Sequence, residues 1–367
     1  MKVINICGAR PNFMKIAPLM RAFAACEAID PLLVHTGQHY DEKMSKLFFD
    51  QLEIPRPDVN LEVGSGSHAQ QTAAIMQRFE PVVMEHRPDA VLVVGDVNST
   101  IACALVASKL GVAVFHVEAG LRSFDRGMPE EINRVLTDAI SDLLFVSEPS
   151  GLENLAREGV AENRMHFVGN VMIDTLQANR RRADASTVLQ TLGVAPKGYV
   201  VVTLHRPSNV DDPAVLAAIT GVLEAVQADL PVVFPVHPRT RKNIETAGLA
   251  PRYEAMDRLT LMDPVGYLDF LKLLADAAVV MTDSGGIQEE TTILGVPCLT
   301  LRENTERPVT LTQGTNQLVG MDPERILTAY RGVRGGPPTT SHVPDKWDGH
   351  AAERIAAIIE AWGCSRG

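Results

Sequence analysis

The chain has 367 residues, 46% of them hydrophobic and only 5% aromatic, and carries a formal net charge of −11 at pH 7. That length suits two globular domains, and the negative balance argues against nucleic acid as a partner, since its phosphates would meet a repulsive field. No apolar stretch is long enough for membrane insertion, and the opening Lys2-Val3-Ile4-Asn5-Ile6-Cys7 reads as a strand without a secretory leader. The five cysteines, Cys7, Cys26, Cys103, Cys298 and Cys364, show no CxxC spacing. They are expected to be reduced thiols of a cytoplasmic protein, with no zinc site. No complete GxGxxG fingerprint is present, and no cofactor or metal is expected.

In chain order, apolar strand-length runs at 2–7, 31–36, 89–94, 112–117, 143–147 and 165–168 alternate with helix-length amphipathic segments. The second half repeats this, with strands at 199–203, 231–236, 258–262, 278–282 and 297–301 and helices such as 213–228, 265–275 and 285–295. Such alternation predicts an α/β protein of two doubly wound, Rossmann-like domains with parallel sheets. The Arg-rich stretch Asn179–Asp184, running on to Pro196-Lys197-Gly198, reads as the junction. The domains expected are 1–175 and 176–346, with a final amphipathic helix at about 347–362.

Ligands of doubly wound sheets sit beyond the carboxyl ends of the strands. Those ends carry Gly8-Ala9-Arg10-Pro11-Asn12 with Lys15, Gly95-Asp96, Glu118-Ala119-Gly120-Leu121-Arg122, His205-Arg206 and His237-Pro238-Arg239. The segment Thr282-Asp283-Ser284-Gly285-Gly286 ends an apolar strand and opens a helix. Backbone N–H groups at such a turn suit a diphosphate, and Glu290, further along the helix, suits ribose hydroxyls. Each feature has a plain alternative. The glycine turn also fits an ordinary connection, Asp96 a helix cap, and Glu118 a buried ion pair with Arg122 or Arg134. Glu130 and Glu131 suit the first turn of a helix for dipole reasons alone, and His205 and His237 suit structural roles.

Taken together, these segments resemble the non-hydrolysing UDP-N-acetylglucosamine 2-epimerases over nearly the whole chain. The residues that carry the likeness are Gly8-Ala9-Arg10-Pro11 with Lys15, Thr36-Gly37-Gln38-His39, Gly95-Asp96 and His116-Val117-Glu118-Ala119-Gly120-Leu121-Arg122. Pro129-Glu130-Glu131-Ile132-Asn133-Arg134, Gly169-Asn170, His205-Arg206, Ser284-Gly285-Gly286 and Thr305-Glu306-Arg307-Pro308 follow in family order. The resemblance implies a GT-B architecture, two domains facing a central cleft with the last helix returning to the first domain, and a homodimer. It also implies inversion at carbon 2 of a UDP-sugar by elimination of UDP to a glycal and re-addition. Asp96, Glu118 and Glu130, with Glu131 beside them, then correspond to acid–base residues, joined by His205 at the reacting diphosphate. Arg10, Lys15, His237, Ser284, Gly285, Gly286, Glu290 and Arg307 correspond to substrate-binding residues.

Two positions depart from the better-known bacterial members. Tyr40 follows the Gln-His pair in place of a nearby arginine, and Val265 replaces a glutamine, which argues against activation by a second substrate molecule. The segments Ser123–Met128 and His205–Val210 resemble a different branch, which widens the sugar to relatives of N-acetylglucosamine. A GT-B glycosyltransferase, a hydrolysing epimerase and a silent nucleotide-sugar binder are the alternatives.

Overall fold

The computed structural model describes residues 1–37, 42–336 and 342–365. The chain forms two compact units, Met1–Ala178 with Asp345–Gly367, and Asn179–Pro344. The first contains strands β1 (Lys2–Cys7), β2 (Asp30–His35), β3 (Val59–Asn60), β4 (Ala90–Val94), β5 (Ala113–Ala119), β6 (Leu143–Val146) and β7 (Met165–Phe167). They form one parallel sheet in the order β3-β2-β1-β4-β5-β6-β7. The second contains β8 (Val200–Thr203), β9 (Val232–Pro235), β10 (Leu259–Met262), β11 (Val279–Thr282), β12 (Cys298–Thr300) and β13 (Asn316–Leu318), ordered β10-β9-β8-β11-β12-β13. In both sheets the strand order reverses beside the first strand, between β1 and β4 and between β8 and β11. That reversal is the topological switch point of a Rossmann sheet, where neighbouring crossovers diverge and leave a crevice.

Central strands read as unbroken apolar runs because helices cover both faces of each sheet. In the second unit, Val200, Val202, Val232, Phe234, Val279 and Met281 pack on one side with Leu216, Leu223 and Ile326. Their neighbours Val201, Val233 and Val280 pack on the other with Leu273, Leu274 and Ile287. The period of two along a strand sends alternate side chains into the two layers. In the first unit, Ile4, Ile6, Val91 and Val93 meet Phe79, Val83 and Val106 in the same way.

The structure adds two short strands that the apolar pattern does not reveal, β3 and β13. Both are sheet edges of two or three residues with polar side chains, so neither shows a buried run. The Arg-rich stretch read as a junction is helical, forming the last part of the helix Val171–Asp184. The terminal helix runs over Ala351–Cys364, beginning later than its amphipathic pattern suggests. Trp347 is fully buried and donates its indole N–H to Ser147 O, and Gly349 turns with φ 85° against Gln177. Asp174 then accepts the Ala351 and Ala352 amides and so caps a helix remote in sequence.

Candidate active site

In the first unit the groups of interest lie where β1, β4 and β5 end. Asn12, in the first turn of the helix Arg10–Ala24, accepts the Gly8 and Ala9 amides at 3.2 and 3.1 Å and donates to Val94 O at 3.1 Å. It thereby ties the β1 turn to the end of β4. Lys15, one turn further on and buried, pairs with the buried carboxylate of Glu118. The lysine expected at a diphosphate is thus, in this structure, a counter-ion of Glu118. Glu118 itself has φ 75°, the left-handed region that costs a non-glycine residue about 1–3 kcal/mol and that surroundings must enforce. It sits at a register shift between Val117 and Ala119 in the pairing of β5 with β6. The irregularity separates Glu118 from the regular alternation of the strand.

A buried polar cluster supports this backbone. His116 directs Nδ1 to Asp138 at 2.6 Å and Nε2 to the Gly95 carbonyl at 2.8 Å. Asp138 also accepts the Gly120 amide and pairs with Arg122, whose guanidinium reaches Glu158 as well. Burial alone would raise the Asp138 carboxyl, but His116 and Arg122 hold it below its ordinary range. Gly95, with φ 66°, leaves room for Lys15 and Glu118: a Cβ there would stand 2.7 Å from Lys15 Nζ.

Asp96 stands just before the helix Asn98–Lys109, whose N-cap position is Val97. It pairs with Arg134, while Asn133 donates to the Asp96 carbonyl at 2.8 Å. Both come from the helix Pro129–Ile140. Glu131, in its first turn, accepts the Ser123 and Phe124 amides, each at 2.9 Å, together with the Ser123 hydroxyl and Arg134. Burial pushes its carboxyl up, yet these donors bring it below its usual range. By these contacts Glu131 ties Ser123 and Phe124 to the start of the helix. Glu130, its neighbour, is half-buried.

In the second unit, Asp283 fills the switch point. Fully buried at the end of β11, it accepts the His205 amide at 3.0 Å, the Arg206 amide at 2.9 Å and Asn209 Nδ2 at 3.1 Å, and its carboxylate lies 2.8 Å from His205 Nδ1. Beyond it the helix Gly285–Leu294 begins, with Ser284 at its N-cap and Gly286 half-buried in its first turn. A Cβ at Gly285 would lie 2.5 Å from Arg307 Nη1 and 2.8 Å from Glu306 Oε1, so a side chain there would displace both groups. Arg307 binds Glu289 and Glu306 at 2.6 Å each, and Arg302 binds Glu306 at 2.8 Å. Burial would raise the Glu306 carboxyl, but Arg307, Arg302 and Arg206 hold it well below the carboxylate range. The N-terminus of this glycine-started helix, with Arg302 and Arg307 beside it, suits an anion. Glu290 lies deeper and accepts the Tyr267 hydroxyl at 3.1 Å. Burial raises its carboxyl to about 7, the Tyr267 hydroxyl opposing and Glu289 adding to the shift. His237 caps the helix Pro238–Thr246, its Nδ1 accepting the Arg239 amide.

The sequence profile of the family described as UDP-N-acetylglucosamine 2-epimerase matches residues 21–360. The chain belongs to that family. It is similar to the UDP-N-acetylglucosamine 2-epimerase of Methanocaldococcus jannaschii, 45% identical over 334 residues, which span 90% of this chain and 91% of that protein. It is also similar to the UDP-2,3-diacetamido-2,3-dideoxy-D-glucuronate 2-epimerase of Pseudomonas aeruginosa, 43% identical over 335 residues and 90% and 92% of the two chains. The crystal structure of the Methanocaldococcus jannaschii UDP-GlcNAc 2-epimerase in complex with UDP-GlcNAc and UDP superposes with a TM-score of 0.92 at 42% identity, covering 98% of this chain and 100% of that one. The 2-epimerase fold seen here is accordingly of the GT-B class.

Within this 2-epimerase, each unit by itself assembles a subset of the residues singled out from sequence. The first brings Lys15, Glu118, Gly95 and Asp96 to adjoining strand ends, and the second brings His205, Ser284, Gly285, Glu290 and Arg307 around one helix start. The Arg10 side chain and residues Gln38–Tyr40 lie outside the described part of the structure. Val265 packs, partly buried, on the core beside Leu273 and Val280. Sequence reasoning passed over Asp283, Arg302, Glu306, Arg134 and the His116–Asp138 pair as functional groups. Asp283 stands in the segment Thr282–Gly286, and its place directly after a strand is the available signal.

Proposed function

We propose that this protein inverts carbon 2 of a UDP-N-acetylhexosamine, interconverting UDP-N-acetylglucosamine and UDP-N-acetylmannosamine or a close derivative such as a diacetamido uronic acid. The observation that carries the reading is Glu118, held in left-handed backbone beside Lys15 with Asp96 on the next strand end. Enforced strain of this kind clusters at catalytic sites. Carbon 2 of the sugar carries a poorly acidic proton, so a base must remove it while departure of UDP is stabilised electrostatically. The resulting glycal is protonated from the opposite face as UDP adds back. Asp96, Glu118 and Glu130 serve as the acid–base set, and Glu131 positions the loop beside them. Arg10, Lys15 and His205 meet the diphosphate, and Ser284, Gly285 and Gly286 cradle it. Glu290 accepts the ribose hydroxyls, while Arg307 and His237 complete the nucleotide site. The protein works as a homodimer, for which light scattering should return twice the chain mass.

The test is incubation with UDP-N-acetylglucosamine and with its diacetamido and uronic-acid relatives in deuterated water, followed by NMR. The expected result is an epimer carrying solvent deuterium at carbon 2, with UDP and glycal as transients. Epimer without deuterium excludes the elimination route, and release of free sugar alone would make the protein a hydrolase.

A further inference from the structure

We propose that Asp283 is a positioning residue: it holds His205 by Nδ1, so that Nε2 is the ring nitrogen presented to the diphosphate of the bound nucleotide sugar. This rests on the reading of His205 given above. The His205 side chain is 47% exposed, whereas Asp283 is fully buried. Among the described residues the ring has one polar partner, the Asp283 carboxylate at 2.8 Å. An ionised carboxylate only accepts, so Nδ1 keeps its proton and the tautomer is set by this contact.

The carboxylate is itself immobilised. The His205 and Arg206 amides and Asn209 Nδ2 bind its oxygens at 2.9–3.2 Å, and Arg206 Nε closes on the Asp283 carbonyl at 2.9 Å. Asp283 directly precedes Ser284, the N-cap of the helix whose first turn is Gly285-Gly286. One buried group thus ties the β8 end, which bears His205 and Arg206, to the β11 end, which bears the phosphate turn. An imidazole held in one orientation is worth more to a departing anion than a mobile one, because no reorganisation is needed when charge develops.

The experiment combines nitrogen-15 NMR of the histidine rings, His205→Gln assigning the resonance, with kinetics of Asp283→Asn, Asn209→Ala, His205→Ala and the Asp283→Asn/His205→Ala double variant. In the unmutated protein His205 should show a protonated Nδ1. A ring protonated at Nε2 alone would overturn the proposal, and this readout needs no turnover. Asp283→Asn should lose about 10²-fold in turnover, and the double variant should be no slower than His205→Ala alone, because the two residues act as one unit. Additive losses would mean that Asp283 does not act through His205. Asn209→Ala removes another partner of Asp283 without touching the ring and should keep the Nδ1 signal. If the unmutated protein binds UDP with an Nδ1-protonated His205 yet turns over no substrate, the functional reading fails while the positioning stands.

Discussion

The two units share a strand order and a switch point but fill it with opposite chemistry. In the first, carboxylates stand at the strand ends, each gripped by a cation: Glu118 by Lys15 and Asp96 by Arg134. In the second, the strand end opens into a glycine-started helix, and the carboxylates Glu289, Glu290 and Glu306 lie buried behind arginine and tyrosine. The backbone sets where a ligand can bind, and the side chains on the strand ends decide what it meets. On the function proposed above, the carboxylates of the first sheet move protons, and the helix start of the second holds an anion.

That division is most exposed to test at the carboxylates. Asp96→Asn, Glu118→Gln and Glu130→Gln should each lower turnover by about 10²–10⁴-fold, the scale of lost acid–base catalysis. UDP affinity, measured by calorimetry, should change far less. An equal fall in UDP affinity would break the comparison by showing that the first unit also binds the nucleotide through these groups. Trp347→Ala, which empties a fully buried site in the first unit, should cost about 3–5 kcal/mol in a urea titration. Nucleotide contacts in the second unit should survive it wherever the protein remains folded.

Gly285→Ala attacks the second unit instead. The added methyl would press on Arg307 and Glu306, a cost of about 1–3 kcal/mol that should appear as a tenfold or greater loss of UDP affinity. Retained affinity would remove the helix start from the nucleotide site. The smallest effect concerns pH. The Glu290 carboxyl, raised by burial from 4.5 to about 7, keeps a proton in the folded state that the unfolded chain has already released. Its contribution to stability therefore falls as pH climbs through that window and levels off above it. Glu290→Gln, which cannot ionise, should raise the melting temperature at pH 8 and leave it nearly unchanged at pH 5. An equal shift at both values would show that burial does not hold the carboxyl protonated.

From the sequence alone, the alternation of apolar runs with amphipathic segments determined two parallel α/β sheets, because a strand covered on both faces must be apolar throughout its length. The glycine turn after β11 and the charged strand ends were likewise legible, since turn chemistry and hydrophobicity are local properties. Edge strands β3 and β13 were not, being too short and polar to show a pattern. Only the tertiary structure decided which cation meets which carboxylate. Lys15 and Glu118 are 103 positions apart, Arg134 and Asp96 are 38 apart, and Asp283 and His205 are 78 apart. The left-handed backbone of Glu118 belongs to the same class. Such pairings follow from strand order and register, which long-range burial selects, so the residues forming them carry no mark of their partners.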